Sequence, residues 1–203
     1  MSATTMTPAK ALNELRRGNE RVCADRASHP RQGAQARRAS TSGQSPHTCV
    51  FSCGDSRVSP ELAFDQGVGD LFVVRNGGQV LTDGAAASIE FAHHVLGVSL
   101  IVVLGHEGCG AVGAARALNA GQPRDLPGNI SQLTDAIRAD LRAGDDGSPF
   151  PTVRAVAERV RALPSLAAPL AAGRLAVVGA GYYLASGEVR WLERLSSAAG
   201  SSE

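Results

Sequence analysis

The sequence predicts an α/β fold: a mostly parallel central sheet flanked by helices, with an antiparallel edge hairpin at the C-terminal side and an N-terminal helical arm over residues 1–35. Two apolar runs and the helix between them carry this reading. Leu100 to Leu104 is an unbroken leucine and β-branched run closed by Gly105, the signature of a strand buried on both faces, and the small residues after Gly110 read as the start of a helix. Thr48 to Cys53 repeats the design upstream. Between them Thr82 to Leu96 has a helical apolar period, with Asp83 as cap candidate and Gly97 as stop, so strands and helices alternate. A chain of 203 residues with 43% hydrophobic content can bury one real core, and no Pro/Ser-rich linker divides it, so we expect a single domain over 1–203.

The remaining elements follow in chain order. From Pro8 to about Ala27 the positions Ala11, Leu12, Leu15, Asn19 and Val22 keep a helical period, but the stripe is thin and the segment carries five Arg or Lys residues. A helix this polar is expected to need a surface outside its own core. Residues 21–38 are arginine-rich yet hold no aromatic side chain to stack on bases, so they read as a solvated helix and loop rather than a nucleic-acid arm. Ser59 to Gly67 is a short helix entered through Pro60, Leu71 to Val74 a further core strand, and Asn76 to Gly78 a turn. Gly121 to Gly128 reads as a loop, and Asn129–Arg142 and Thr152–Leu163 as amphipathic helices. Leu175 to Val178 starts the last strand, and Gly179 to Trp191 alternates as a hairpin through Ala185 to Gly187.

A net charge of +1 gives no electrostatic footprint for nucleic acid, and no apolar run reaches the roughly 18 residues of a membrane span. The first twenty residues lack the apolar core of a secretory signal, so a cytoplasmic location is expected, where four cysteines stay reduced and available to a metal.

Chemistry concentrates at two strand ends. His106 and Cys109, three apart, follow the Leu100 strand, and Cys53 closes the Thr48 strand. Ligands bind open α/β sheets at the carboxyl ends of strands, so the three side chains are placed to converge. Two thiolates and one imidazole suit zinc and leave one coordination position open, which is a catalytic rather than a structural stoichiometry. Asp55, two residues beyond Cys53, is near enough to orient a zinc-bound hydroxide or to bind the metal itself, and Arg57 can hold that carboxylate in a bidentate pair. His93 and His94 are adjacent on a helix and point about 100° apart, which argues against a metal pair. The glycine turn Gly105 to Gly110 differs in spacing from a nucleotide-binding G-x-G-x-x-G, and a phosphate loop has no need of His106 and Cys109.

Cys53-x-Asp55-Ser56-Arg57, followed about fifty residues later by Gly105-His106-x-x-Cys109-Gly110, resembles the zinc signature of the β-class carbonic anhydrases. The blocks Arg17 to Arg21, Gly43 to Pro46, Asp70 to Asn76, Ser88 to Phe91 and Val177 to Val189 are similar to that family in its order. The resemblance implies reversible hydration of carbon dioxide to bicarbonate and a proton by zinc-bound hydroxide, with one zinc per subunit on Cys53, His106 and Cys109. It implies Asp55 and Arg57 as a catalytic dyad, Asp55 closing the zinc site in an alternative state. Gln44, nine residues before Cys53, matches a substrate amide, and Phe72 and Phe91 match an apolar wall supplied in part by a neighbouring subunit. Phe91 stands where Tyr is common and Gly77 where a larger aliphatic residue stands, so the pocket is expected to be roomier and less polar. Gly110 can offer its backbone N–H to the product. The family further implies a homodimer or dimer of dimers, with the N-terminal helix packed across a neighbour. Two other readings stay open: a carbonyl sulfide or carbon disulfide hydrolase on the same fold, and a non-catalytic zinc scaffold or bicarbonate sensor.

Overall fold

The two apolar runs become neighbouring strands. In the structure, a computed structural model describing residues 6–122, 125–144 and 147–192, β1 (Thr48–Cys53) pairs in parallel with both β2 (Leu71–Asn76) and β3 (Leu100–His106). β4 (Ala176–Tyr182) continues the parallel sheet on β3, and β5 (Val189–Trp191) closes it antiparallel, giving the order β2-β1-β3-β4-β5. All residues of β1 and β3 are buried, which is why their sequences are continuous apolar runs rather than alternating ones. The expected fold class holds. One boundary moves: β4 runs through Gly179 to Tyr182, and only its last three residues pair with the three-residue β5, while Gly181 also leaves room for the Phe150 ring, which a Cβ there would strike at 2.1 Å.

The helices cover both faces. Cys49, Phe51, Ile101, Val103 and Val177 pack against α4 (Asp83–His94) and α7 (Val153–Arg161). Val50, Leu100, Val102, Leu104 and Val178 point the other way, onto α1 (Pro8–Cys23) and Phe64, which follows the short α3 (Pro60–Ala63). Strand alternation produces the split, since successive side chains leave opposite faces. The N-cap of α4 is Thr82, whose hydroxyl accepts from the Ala85 amide, and Asp83 sits in the first turn where its charge favours the helix dipole. α5 (Gly110–Asn119) and α6 (Ile130–Gly144) pack together beyond the strand ends through Val112, Ala115, Ile137 and Leu141. Two elements outside the expected set are α2 (Ala34–Ala39), with no buried residue, and α8 (Ala167–Ala171). The expected loop Gly121–Gly128 includes residues 123–124, which lie outside the described residues.

The N-terminal helix has one face seated in its own chain. Ala11, Leu12 and Leu15 are buried in the chain's own core, and Asn19 is 6% exposed. The Asn19 amide donates to the carbonyls of Ala63 and Gly187, and its oxygen accepts from the Val189 amide, tying α1 to α3 and to the C-terminal hairpin. A polar residue with three partners supplies the grip that the thin stripe lacks. Residues 31–45, which include α2, are exposed or half-buried throughout.

Candidate metal centre

From β1 the chain moves to β2 on one side and then crosses to β3 on the other side of β1. The crevice between β1 and β3 is therefore the topological switch point, where ligands bind in open parallel sheets. Cys53 is the last residue of β1, His106 the last of β3, and Cys109 precedes α5. Their donor atoms all lie within 4.8 Å of one another, the one such group of three or more His, Cys, Asp or Glu among the described residues.

The donor set fits zinc. Cys53 Sγ and Cys109 Sγ are 3.8 Å apart, which is the separation of two sulfurs held at about 2.3 Å on one tetrahedral centre. His106 Nδ1 donates to the Glu107 carbonyl at 2.9 Å, so Nε2 carries the lone pair. That Nε2 is buried and has no hydrogen-bond partner. Such an atom is costly to leave bare, and a cation between the two sulfurs satisfies it. The hydrogen bond between the two sulfurs lowers the Cys53 thiol and raises that of Cys109. A dication at this point would hold both sulfurs as thiolates. The buried amide of Gly78, at φ 67°, donates to Cys53 Sγ at 3.3 Å.

Asp55 and Arg57 form the expected pair. Arg57 Nε donates to Asp55 Oδ1 at 2.9 Å, Nη2 to Oδ2 at 2.7 Å, and the Arg57 amide to Oδ1 at 3.0 Å. These bonds hold the Asp55 carboxyl well below the usual carboxylate range. Asp55 Oδ2 lies 3.9 Å from His106 Nε2, at the margin of the cluster, and Arg57 also reaches the Gly108 carbonyl at 3.3 Å.

Comparison with known proteins agrees with this geometry. Residues 48–189 match a family model described as carbonic anhydrase. The chain belongs to the β-carbonic anhydrase family. It is 42% identical to a carbonic anhydrase of Mycolicibacterium smegmatis, over 90% of this chain and 92% of that protein. It is 40% identical to carbonic anhydrase 2 of Mycobacterium tuberculosis (strain ATCC 25618 / H37Rv), over 89% and 90%. The solved β-carbonic anhydrase CcaA superposes with a TM-score of 0.68 at 26% identity, covering 90% of this chain and 95% of that one. The chain thus stands among enzymes that hydrate carbon dioxide.

Not every family position lies at the metal centre within one chain. Gln44 is exposed and lines a cavity of about 650 Å³ with His29, Arg31 and Asp70, which none of the three metal-type residues lines. Phe72 pairs with Cys49, four residues from Cys53 along β1, so it lies about 13 Å back along the sheet, and Phe91 packs on it with ring centroids 6.1 Å apart. Gly110 opens α5 beside Cys109, where a first-turn amide has no intrahelical acceptor. The expected extra room at Gly77 is absent, because α6 takes it: a Cβ there would sit 2.8 Å from Leu133 Cδ2. His93 Nδ1 bonds the Val98 carbonyl, and neither His93 nor His94 joins a metal group. Cys49 is buried, which pushes its thiol up to about 12, and Cys23 lies on the exposed end of α1.

Sequence reasoning missed the residues that hold this loop. Arg75 donates to the carbonyls of Cys53, Asp55 and Val58 at 3.0, 2.8 and 2.7 Å, pinning the segment that carries Cys53, Asp55 and Arg57. Asn76 brackets the next turn, its oxygen accepting from the Val80 amide and its nitrogen donating to the Val80 carbonyl. An arginine ending an apolar strand was the available signal for Arg75; Asn76 gave none beyond its turn propensity.

Proposed function

We propose that Cys53, His106 and Cys109 hold one zinc ion per subunit and that the chain interconverts carbon dioxide and bicarbonate there. The observation that carries the reading is the convergence of two sulfurs and one unpartnered imidazole nitrogen within 4.8 Å at a switch point. Zinc, when bound, supplies a Lewis acid that lowers the pKa of a water and so provides a nucleophile near neutral pH. The residues around it do the rest. Asp55 Oδ2 is an acceptor at the margin of the cluster, positioned to take a hydrogen bond from that nucleophile and aim its lone pair at the substrate carbon. Arg57 holds both oxygens of Asp55, which keeps the carboxylate out of the open coordination position. The free amide of Gly110 is a donor for the bicarbonate oxygen that forms. The bidentate pair favours an enzyme over a scaffold, since a scaffold needs the metal ligands alone.

Gln44, Phe72 and Phe91 reach a substrate only if a second copy brings them to the site, so the working unit is a homodimer or a dimer of dimers, with the N-terminal helical arm, residues 1–35, packed on the partner. No helix among the described residues is long and apolar enough to cross a membrane.

Metal analysis and stopped-flow hydration assays test this reading. The purified chain should carry one zinc per subunit and hydrate carbon dioxide, and Cys53→Ala should lose both. Arg57→Ala should keep zinc while turnover falls about 10- to 100-fold, the usual loss for a partner behind a ligand shell. Full zinc in Cys53→Ala, or wild-type turnover in Arg57→Ala, would count against the assignment. Sedimentation should report at least a dimer at micromolar concentration.

A further inference from the structure

His106 and Cys109 are separated by two residues, and those two set the geometry of both ligands. Gly108 takes φ 62°, a left-handed conformation that suits glycine. Glu107 is gripped at three points. Its carbonyl accepts from His106 Nδ1 at 2.9 Å, its amide donates to the Tyr182 carbonyl at 3.1 Å, and its Oε1 accepts from the Leu184 amide at 2.7 Å. The first bond fixes which nitrogen of His106 faces the cluster and how the ring is turned. The other two fasten Glu107, on either side of the Cα that carries this carbonyl, to the segment leading into the C-terminal hairpin. The same hairpin is held by Asn19 of α1 through Gly187 and Val189.

We propose that Glu107 is a positioning residue for the metal centre: its carboxylate, anchored on the Leu184 amide, orients the Glu107 carbonyl and through it the His106 ring. The inference rests on the zinc reading above. A carboxylate accepting from a backbone amide makes a short, charge-assisted bond, stronger than a neutral side chain would make at the same place. Without that acceptor the Glu107 peptide keeps one main-chain bond to the hairpin and can rotate about it, so Nδ1–H loses its fixed acceptor and Nε2 its aim. Glu107 touches neither substrate nor metal, so its effect should appear first as metal affinity.

Competition of the full-length protein against a chromophoric zinc chelator, with apo-protein melting measured alongside, tests this. Glu107→Ala should bind zinc about 10- to 100-fold more weakly, while Glu107→Gln, whose side-chain oxygen can still accept from Leu184, should stay within about threefold of wild type. Glu107→Met fills the same length without an acceptor, and should behave as Ala does if the alanine variant does not fold. Cobalt substitution gives a second readout: the visible ligand-field bands should shift in Glu107→Ala or Glu107→Met and not in Glu107→Gln. Wild-type zinc affinity in the Ala or Met variant, or equal weakening in the Gln variant, would overturn the role of Glu107. A wild-type chain that binds no zinc would instead remove the metal reading and this inference with it.

Discussion

Replacing Gly78 by alanine should injure both the fold and the metal centre, and the two losses can be read separately. Gly78 has φ 67°, where an L-residue with a Cβ costs about 1–2 kcal/mol. The added methyl would lie 2.6 Å from Ile137 Cδ1 and 3.3 Å from its Cγ1, and Ile137 is fully buried, so it must repack inside its cluster at about 1–3 kcal/mol. Because the clash is with the end of one side chain, the lower part of that range applies, and a total of about 2–4 kcal/mol is expected. The same shift moves the Gly78 amide off Cys53 Sγ, which should weaken zinc binding about 10- to 100-fold. Guanidinium unfolding measures the first loss and chelator competition the second. Gly113→Ala is the control: it lies within α5 with nothing within 4 Å of its Cβ, so it should stabilise by about 1 kcal/mol and leave zinc alone. A Gly78→Ala protein within about 0.5 kcal/mol of wild type, with unchanged zinc affinity, would refute the reasoning.

Asn19→Ala removes, besides a weak one from the Cys23 thiol, the hydrogen bonds to the Ala63 and Gly187 carbonyls and from the Val189 amide, and strands those three groups; a destabilisation of about 2–4 kcal/mol is expected in urea, and a value under about 1 would mean that solvent replaces them. Gly77→Ala should be unfavourable in the wild-type background, where Leu133 Cδ2 occupies the space, and neutral or stabilising in Leu133→Ala; thermal melts of the four proteins that show no coupling would deny that α6 fills this position. Asp65 is buried, and although burial alone would raise its carboxyl, the amides of Ser28 and His29, the Ser28 hydroxyl and Arg21 hold it well below the usual range. Its folded pKa is thus lower than its unfolded one, so its stabilisation is complete above about pH 4 and is lost as pH falls further. The stability gap between wild type and Asp65→Asn should therefore be widest near neutrality and shrink in acid, and a gap independent of pH would contradict this account.

Much of the metal centre was legible before any coordinates. Cys53 and His106 each end an apolar strand, Cys109 follows three residues later between two glycines, and a parallel sheet presents such ends on one side whatever the strand order. Asp55 and Arg57 lie within four residues of Cys53, so chain connectivity alone keeps them near it. The helical periods of α4, α6 and α7 were equally local, and they hold because their apolar stripes meet a sheet on schedule.

What tertiary structure decided is whatever depends on elements far apart in sequence. That β1 and β3 are adjacent, with the reversal of strand order between them, is a property of topology, and it brings Cys53 and Cys109 to 3.8 Å. How α1 seats one face on its own chain was not legible, because burial is set by partners, and Asn19 finds its backbone partners 44 and 168–170 positions away. The pocket at Gly77 could not be sized from its own neighbourhood, since Leu133 arrives from α6 to fill it. Gln44, Phe72 and Phe91 match family positions yet lie away from the Cys53, His106 and Cys109 cluster of their own chain, because the distance between β1, β2 and α4 positions is set by sheet register and not by order in the sequence.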